Sequence, residues 1–149
     1  MDETGADRNE AGDAAAAGAG AGIRHESVAR FFAEQVPGGS GPLRFSLISG
    51  GRSNLTYLVE GEGGRRWVLR RPPLGHVLPT AHDMAREHRV LSALADTDVP
   101  VARPLALCTD PAVNDAPFYV MEYAAGVVLA ERLPEGYAEG PADRRRIGE

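Results

Sequence analysis

Ser49-Gly50-Gly51-Arg52-Ser53-Asn54 stands between two alternating runs, and its reading decides the fold. Upstream, Leu43, Phe45 and Leu47 alternate with polar neighbours; downstream, Leu55, Tyr57 and Val59 do the same, which is the period of a half-buried strand. Gly61-Glu62-Gly63-Gly64 marks a second reversal, and Trp67-Val68-Leu69-Arg70-Arg71 continues as a third strand. Three strands joined by glycine turns read as an antiparallel meander. Pro72-Pro73 ends it, because proline cannot donate to a sheet ladder.

Outward from this meander, Val28, Phe31, Phe32 and Val36 recur at helical spacing from near Ile23 until Pro37-Gly38-Gly39. This helix is expected to pack on the outside of the sheet. Downstream, Thr80 is the expected N-cap of a helix that runs to about Ala95, with Asp83 favourable to its dipole. Pro104 to Leu107 and Phe118 to Tyr123 read as two further strands, separated by the turn-rich Thr109-Asp110-Pro111 and Asn114-Asp115. Pro141 suits a first helical turn, and Arg144-Arg145-Arg146-Ile147 continues that helix.

The 149 residues suit one domain, of which 25% of residues are charged. The net charge of −5 is uneven: in residues 1–22 five acids stand against Arg8, net −4, which leaves −1 for the remainder. A near-neutral domain lacks the cationic face that nucleic-acid binding requires. Residues 1–22, mostly Ala and Gly, bury too little apolar surface to offset the entropy of ordering and are expected to form a disordered acidic tail. Residues 23–140 then form the folded lobe, and 141–149 the start of a truncated helix.

Cys108 is alone, so it forms no internal disulfide and reads as a small core residue in a reducing compartment. There is no apolar run of ~18 residues, and no cationic, leucine-rich leader. A cytoplasmic protein without a membrane partner is the expectation. All 16 basic residues are arginine, so any role that commonly falls to lysine falls to arginine here.

The helix after Thr80 carries Met84, Leu91 and Leu94 on one face, with Glu87 among them, whereas Arg86 and Arg89 are expected to face away. A carboxylate in a buried stripe needs a cation from elsewhere in the fold. Arg70 is the natural partner because it shares a strand face with Val68, while Arg71 points to the other side. A merely structural ion pair is the competing reading of Glu87, and a plain hairpin is the commoner meaning of Gly50-Gly51. A glycine turn, a cation on the third strand and an acid on the next helix nonetheless reproduce the order by which kinase-like enzymes hold ATP phosphates. Arginine in the cation's place presents a planar fork rather than a compact ammonium.

The wording itself extends the likeness. Gly50-Gly51-Arg52-Ser53-Asn54-Leu55-Thr56-Tyr57, Val68-Leu69-Arg70-Arg71-Pro72-Pro73, Glu87-His88-Arg89-Val90-Leu91 and Pro117-Phe118-Tyr119-Val120-Met121-Glu122-Tyr123 resemble the aminoglycoside phosphotransferase family. The nearest branch is related to the kinase-like domain fused to some acyl-CoA dehydrogenases. The resemblance covers roughly residues 25–149. It implies an α+β fold, the N-terminal lobe of a protein-kinase-like domain, with an antiparallel sheet of about five strands, an αC-type helix and an extra N-terminal helix.

It implies further that Gly50, Gly51, Arg52, Ser53 and Asn54 cover the nucleotide, that Arg70 takes the place of the phosphate-binding lysine, and that Glu87 is its helix partner. Met121 would flank the adenine, with the backbone of Glu122, Tyr123 and Ala124 as the hinge; most of Phe118 to Met121 is core on either reading. ATP is the implied cofactor, and the acceptor is a small molecule with a hydroxyl. The family's His-Gly-Asp segment, its downstream Asn and its acidic metal-binding motif are absent, for the four histidines lie at 25, 76, 82 and 88. Catalytic base and metal ligands would therefore belong to a missing C-terminal lobe, and Mg is expected only with it. These residues are expected to form the nucleotide-binding lobe of a small-molecule phosphotransferase, inactive alone. The alternatives are a non-catalytic nucleotide binder and an interaction module, with self-association through the exposed lobe face.

Overall fold

Alternation in the sequence becomes a five-stranded antiparallel sheet: β1 Arg44–Ser49, β2 Leu55–Glu60, β3 Arg66–Arg71, β4 Pro104–Cys108 and β5 Phe118–Glu122, in the order β1-β2-β3-β5-β4. The computed structural model describes residues 20–49, 54–75, 82–127 and 135–147. Among the described residues four helices accompany the sheet: α1 His25–Gln35, α2 Met84–Leu94, the single turn α3 Pro111–Asn114, and α4 Pro141–Ile147. Pro104 begins the edge strand β4, where a missing donor costs no ladder hydrogen bond. The Gly61–Gly64 reversal carries a 3-10 turn at Glu62–Gly64, closed by the Gly61 N–H donating to Arg65 O at 2.9 Å.

The pleat sends successive side chains to opposite faces of this sheet, and the two faces differ in kind. One face is dry. Phe45, Tyr57, Val59, Trp67, Leu69, Phe118 and Val120 point from four strands into a single cluster. Helix α1 closes over it with Val28 and Phe32, both fully buried. Phe32 meets Trp67 edge to face at 5.8 Å between ring centroids, and Phe31 meets Phe118 in the same manner at 5.1 Å. Cys108 belongs to this cluster, unpaired, and burial pushes its thiol above the ordinary value.

Two residues, Arg24 and Ser27, tie α1 to distant parts of the chain. The N-cap residue Arg24 donates its N–H to Asn114 Oδ1 at 2.9 Å, and its guanidinium pairs with Asp115 at 2.6 Å. Ser27 Oγ donates to Val113 O at 2.6 Å. The segment read as turn-rich thus folds into α3 and serves as a clasp for the first helix.

The hydrogen-bonded structure also reaches back before Ile23 into residues the sequence assigns to the tail, beginning with Gly20, whose carbonyl accepts from Ile23 N–H at 2.9 Å. Tyr57 OH donates to Ala21 O, and Arg71 Nη1 donates to Gly22 O. Gly22 has φ +79°, and a Cβ there would lie 2.7 Å from Arg71 Nη1, so only glycine lets the chain pass. Residues 1–19, most of the expected tail, lie outside the described residues.

Helix α2 packs over β4 and β5 on the opposite face, with Met84 fully buried and Leu91 and Leu94 half-buried. Its N-cap is Asp83, whose carboxylate accepts from Arg86 N–H at 2.9 Å; this corrects the expected start at Thr80. Asp and Thr both cap well, and the first helical turn settled on the acid three residues later. Thr80 lies outside the described residues. No helix among the described residues is long and apolar enough to cross a membrane.

Candidate functional site

Strand register builds the site before any side chain is considered. Thr56 pairs with Arg70 across β2 and β3, and Arg70 pairs with Tyr119 across β3 and β5. The three therefore form one lateral row on the face opposite the core. Leu58, Val68 and Met121 form the next row by the same two pairings.

Glu87 reaches this row from the first turn of α2, where the helix dipole favours an anion. Arg70 Nε donates to its Oε2 at 3.0 Å, and Tyr119 OH donates to the same oxygen at 3.1 Å. Asn54 Nδ2 donates to Oε1 at 2.7 Å. Arg70 Nη1 in turn donates to Thr56 Oγ1 at 3.1 Å, and His82 Nδ1 lies 2.6 Å from Asn54 Oδ1. One carboxylate thus gathers donors from β3, from β5 and from the chain just before β2.

Burial lifts the Tyr119 hydroxyl well above its ordinary value, and the neighbouring Glu87 charge adds to that while Arg70 opposes it. The hydroxyl stays protonated and remains a donor through the physiological range. Arg70 and Glu87 are each about one-third exposed, at 33% and 32% of the side chain. A pair so wet contributes about 1 kcal/mol or less to stability.

Beside the pair lies a cavity of about 420 Å³, lined by Arg70, Glu87, Val90, Leu91, Tyr119 and Met121 together with Arg86. Arg86 does not face away from the acid as expected. Its helical position is only about 100° round the axis from that of Glu87, and although exposed it also lines the cavity. Arg89 is exposed.

Of the residues assigned to nucleotide binding, Asn54, Arg70 and Glu87 are joined directly, and Met121 lines the same cavity. Glu122 closes β5, and its N–H donates to Arg103 O at 2.9 Å. Tyr123 lies just beyond, its ring 4.3 Å from the Arg66 guanidinium carbon, and Ala124 is exposed. Gly50, Gly51, Arg52 and Ser53 lie outside the described residues. Arg71 points to the core face, bonded to Gly22 O and to Pro72 O. Among the described residues no group of three or more His, Cys, Asp or Glu is placed to hold a metal ion.

Thr56, Tyr119 and His82 belong to the network and escaped sequence reasoning. Two of them left a signal: Thr56 interrupts an apolar run on the arginine's face, and a tyrosine inside a core strand needs a partner for its hydroxyl. His82 left none, since its partner is an amide 28 residues away.

Comparison with known proteins fits this geometry. The chain is 42% identical over 118 residues to the protein named "Probable acyl-CoA dehydrogenase IBR3" of Arabidopsis thaliana, covering 74% of this chain and 14% of that one. It is 37% identical over 126 residues to acyl-CoA dehydrogenase family member 11 of Gallus gallus, covering 81% and 16%. The chain thus spans less than one-fifth of the length of these curated relatives. A crystal structure of a protein named as an aminoglycoside phosphotransferase, from Ralstonia eutropha, superposes with a TM-score of 0.58 at 38% identity. That match covers 70% of this chain and 29% of the other, and identifies the sheet and its helices as a kinase-like fold. The sequence model of the phosphotransferase enzyme family (APH) matches residues 44–149, from the first strand onward. The chain belongs to the phosphotransferase enzyme family.

Proposed function

We propose that these residues form the ATP-binding lobe of a small-molecule phosphotransferase, which passes the γ-phosphoryl group to a hydroxyl of its acceptor. The observation that carries the reading is the Arg70 Nε to Glu87 Oε2 contact at 3.0 Å. Its contribution to stability is small, yet the carboxylate is held by two further donors, which favours a role in orientation over one in holding the fold.

With Nε committed to Glu87, Nη1 to Thr56 and Nη2 without a partner among the described residues, the guanidinium keeps that edge for phosphate oxygens. The glycine turn at 50–53 lets backbone amides approach the phosphates, and Met121 flanks the adenine while Glu122 to Ala124 act as the hinge. The family's base and Mg ligands are not written in these residues, so the lobe binds nucleotide and does not transfer phosphate by itself. The Ralstonia protein's name and the acyl-CoA dehydrogenase relatives suggest a hydroxylated small molecule as acceptor, a hydroxyacyl compound included.

Calorimetric titration with ATP tests the reading. Binding by the wild-type chain, weakened at least tenfold by Arg70→Ala, is expected for a group bonded directly to phosphate. Absence of binding by the wild type, or equal binding by the variant, rejects it.

A second reading is favoured by one observation: Val90 is 51% exposed beside Leu91 and Met121, leaving apolar surface open at the cavity. The same face then serves as an interaction surface between two copies. Sedimentation at micromolar concentration is expected to show oligomers, and a clean monomer discards this reading.

A further inference from the structure

Asn54 was counted among the residues that cover the nucleotide, but its own contacts point elsewhere. It is 5% exposed, and both polar atoms of its amide are engaged. A carboxylate only accepts hydrogen bonds, so the amide nitrogen must face Glu87 Oε1, at 2.7 Å. The amide oxygen then faces His82 and can only accept, so His82 must carry its proton on Nδ1, 2.6 Å away.

This chain of three groups spans two elements. Asn54 precedes β2, whereas His82 stands just before the N-cap of α2 and Glu87 lies in that helix's first turn. The terminal torsion of a glutamate is broad, so its carboxylate plane is set by partners and not by the side chain itself. Arg70 and Tyr119 both hold Oε2; Asn54 holds Oε1 and so fixes the plane's rotation.

We infer that Asn54 is a positioning residue for the phosphate-binding cation: it acts through Glu87 to orient Arg70, with His82 orienting Asn54 in turn, and it does not itself touch the nucleotide. The inference rests on the reading of Arg70 as the cation that grips phosphate.

A double-mutant cycle on the full 149-residue chain separates the two roles, with ATP as the probe. Asn54→Ala is expected to weaken ATP binding about tenfold in the wild-type background, the scale of one hydrogen bond to a charge. In the Glu87→Ala background the same change is expected to cost less than about twofold, because its target is gone. The same factor in both backgrounds overturns the inference and returns Asn54 to direct contact. Asn54→Asp, which keeps the shape and places a second negative charge beside Glu87, serves if the alanine variant does not fold; its expected loss and its dependence on Glu87 are the same.

NMR without nucleotide reads the mechanism itself. The His82 ring is expected in the Nδ1-protonated form in the wild type and not in Asn54→Ala, and solvent exchange of the Arg70 Nε–H is expected to quicken severalfold in the variant. An unchanged Arg70 exchange rate overturns the inference whether or not ATP binds. Absence of ATP binding by the wild type removes the nucleotide reading alone, and the NMR result then decides whether Asn54 orients Arg70.

Discussion

Arg70 and Arg71 are neighbours on one strand, and the pleat gives them opposite fates. Arg71 is 6% exposed and sits against the aromatic core, its guanidinium bonded only to backbone carbonyls among the described residues. Burial lowers its pKa from the ordinary arginine value, while Tyr57 and Asp115 act in the opposite direction. Arg70 stands on the wetter face with a carboxylate partner and, among the described residues, an Nη2 without one. One arginine holds the chain together; the other is the cation proposed to grip phosphate. The same contrast runs through the two faces, for α1 closes over the aromatic cluster of one while α2 packs on the β4–β5 side of the other.

The contrast is easiest to break at its dry side. Phe32→Ala removes a fully buried ring that touches Phe45 and Trp67, and chemical denaturation is expected to show a loss of about 3–5 kcal/mol. Arg71→Ala leaves the Gly22 and Pro72 carbonyls without their donor and is expected to cost about 2–4 kcal/mol of stability. It should leave ATP affinity of the folded fraction nearly unchanged. Arg70→Ala is expected to do the reverse, lowering ATP affinity at least tenfold with less than about 1 kcal/mol of stability lost. If the two variants lose affinity equally in a titration, the division between the faces is wrong.

Asp83→Ala tests the wetter face from its helix. Loss of the cap is expected to cost about 1 kcal/mol by thermal or urea unfolding.

The smallest effect lies in alkali. Tyr119 has its pKa raised above the ordinary 10.0, so below that value it is protonated in both folded and unfolded chains and stability does not depend on it. As pH climbs past 10.0 the unfolded chain releases this proton first, and stability falls. Tyr57 on the other face is shifted in the same direction, chiefly by burial. Tyr119→Phe should flatten part of the fall in a pH series of urea midpoints; an unaltered slope shows that burial, with the Glu87 charge beside it, does not hold that proton.

What the sequence made legible follows from these same faces. Period-two alternation is enforced by the pleat, so β1, β2 and the opposite directions of Arg70 and Arg71 could be read from spacing, whereas β4 and β5 showed as short apolar runs split by turn residues. Glu87 was legible because an acid in an apolar helical stripe needs a cation, and a strand end just upstream offered a natural one. Helix starts were less legible, since Thr80 and Asp83 both satisfy the chemistry of a cap. The clasp of α3 on α1 was not legible, because Asn114 and Arg24 lie 90 residues apart and no local pattern marks them as partners. The same is true of His82, whose role depends on which way an amide faces.

The carbonyls of Ala21 and Gly22 bear on where the chain can be cut. Composition invites a clean start at Ile23, after the last glycine of the acidic stretch. A protein begun there would keep its entire sheet yet strand two donors, the hydroxyl of Tyr57 and the guanidinium of Arg71, in places that water reaches poorly. Ala21 and Gly22, residues of almost no side chain, thus belong with the folded lobe, and an expression design that keeps them should yield the sturdier protein.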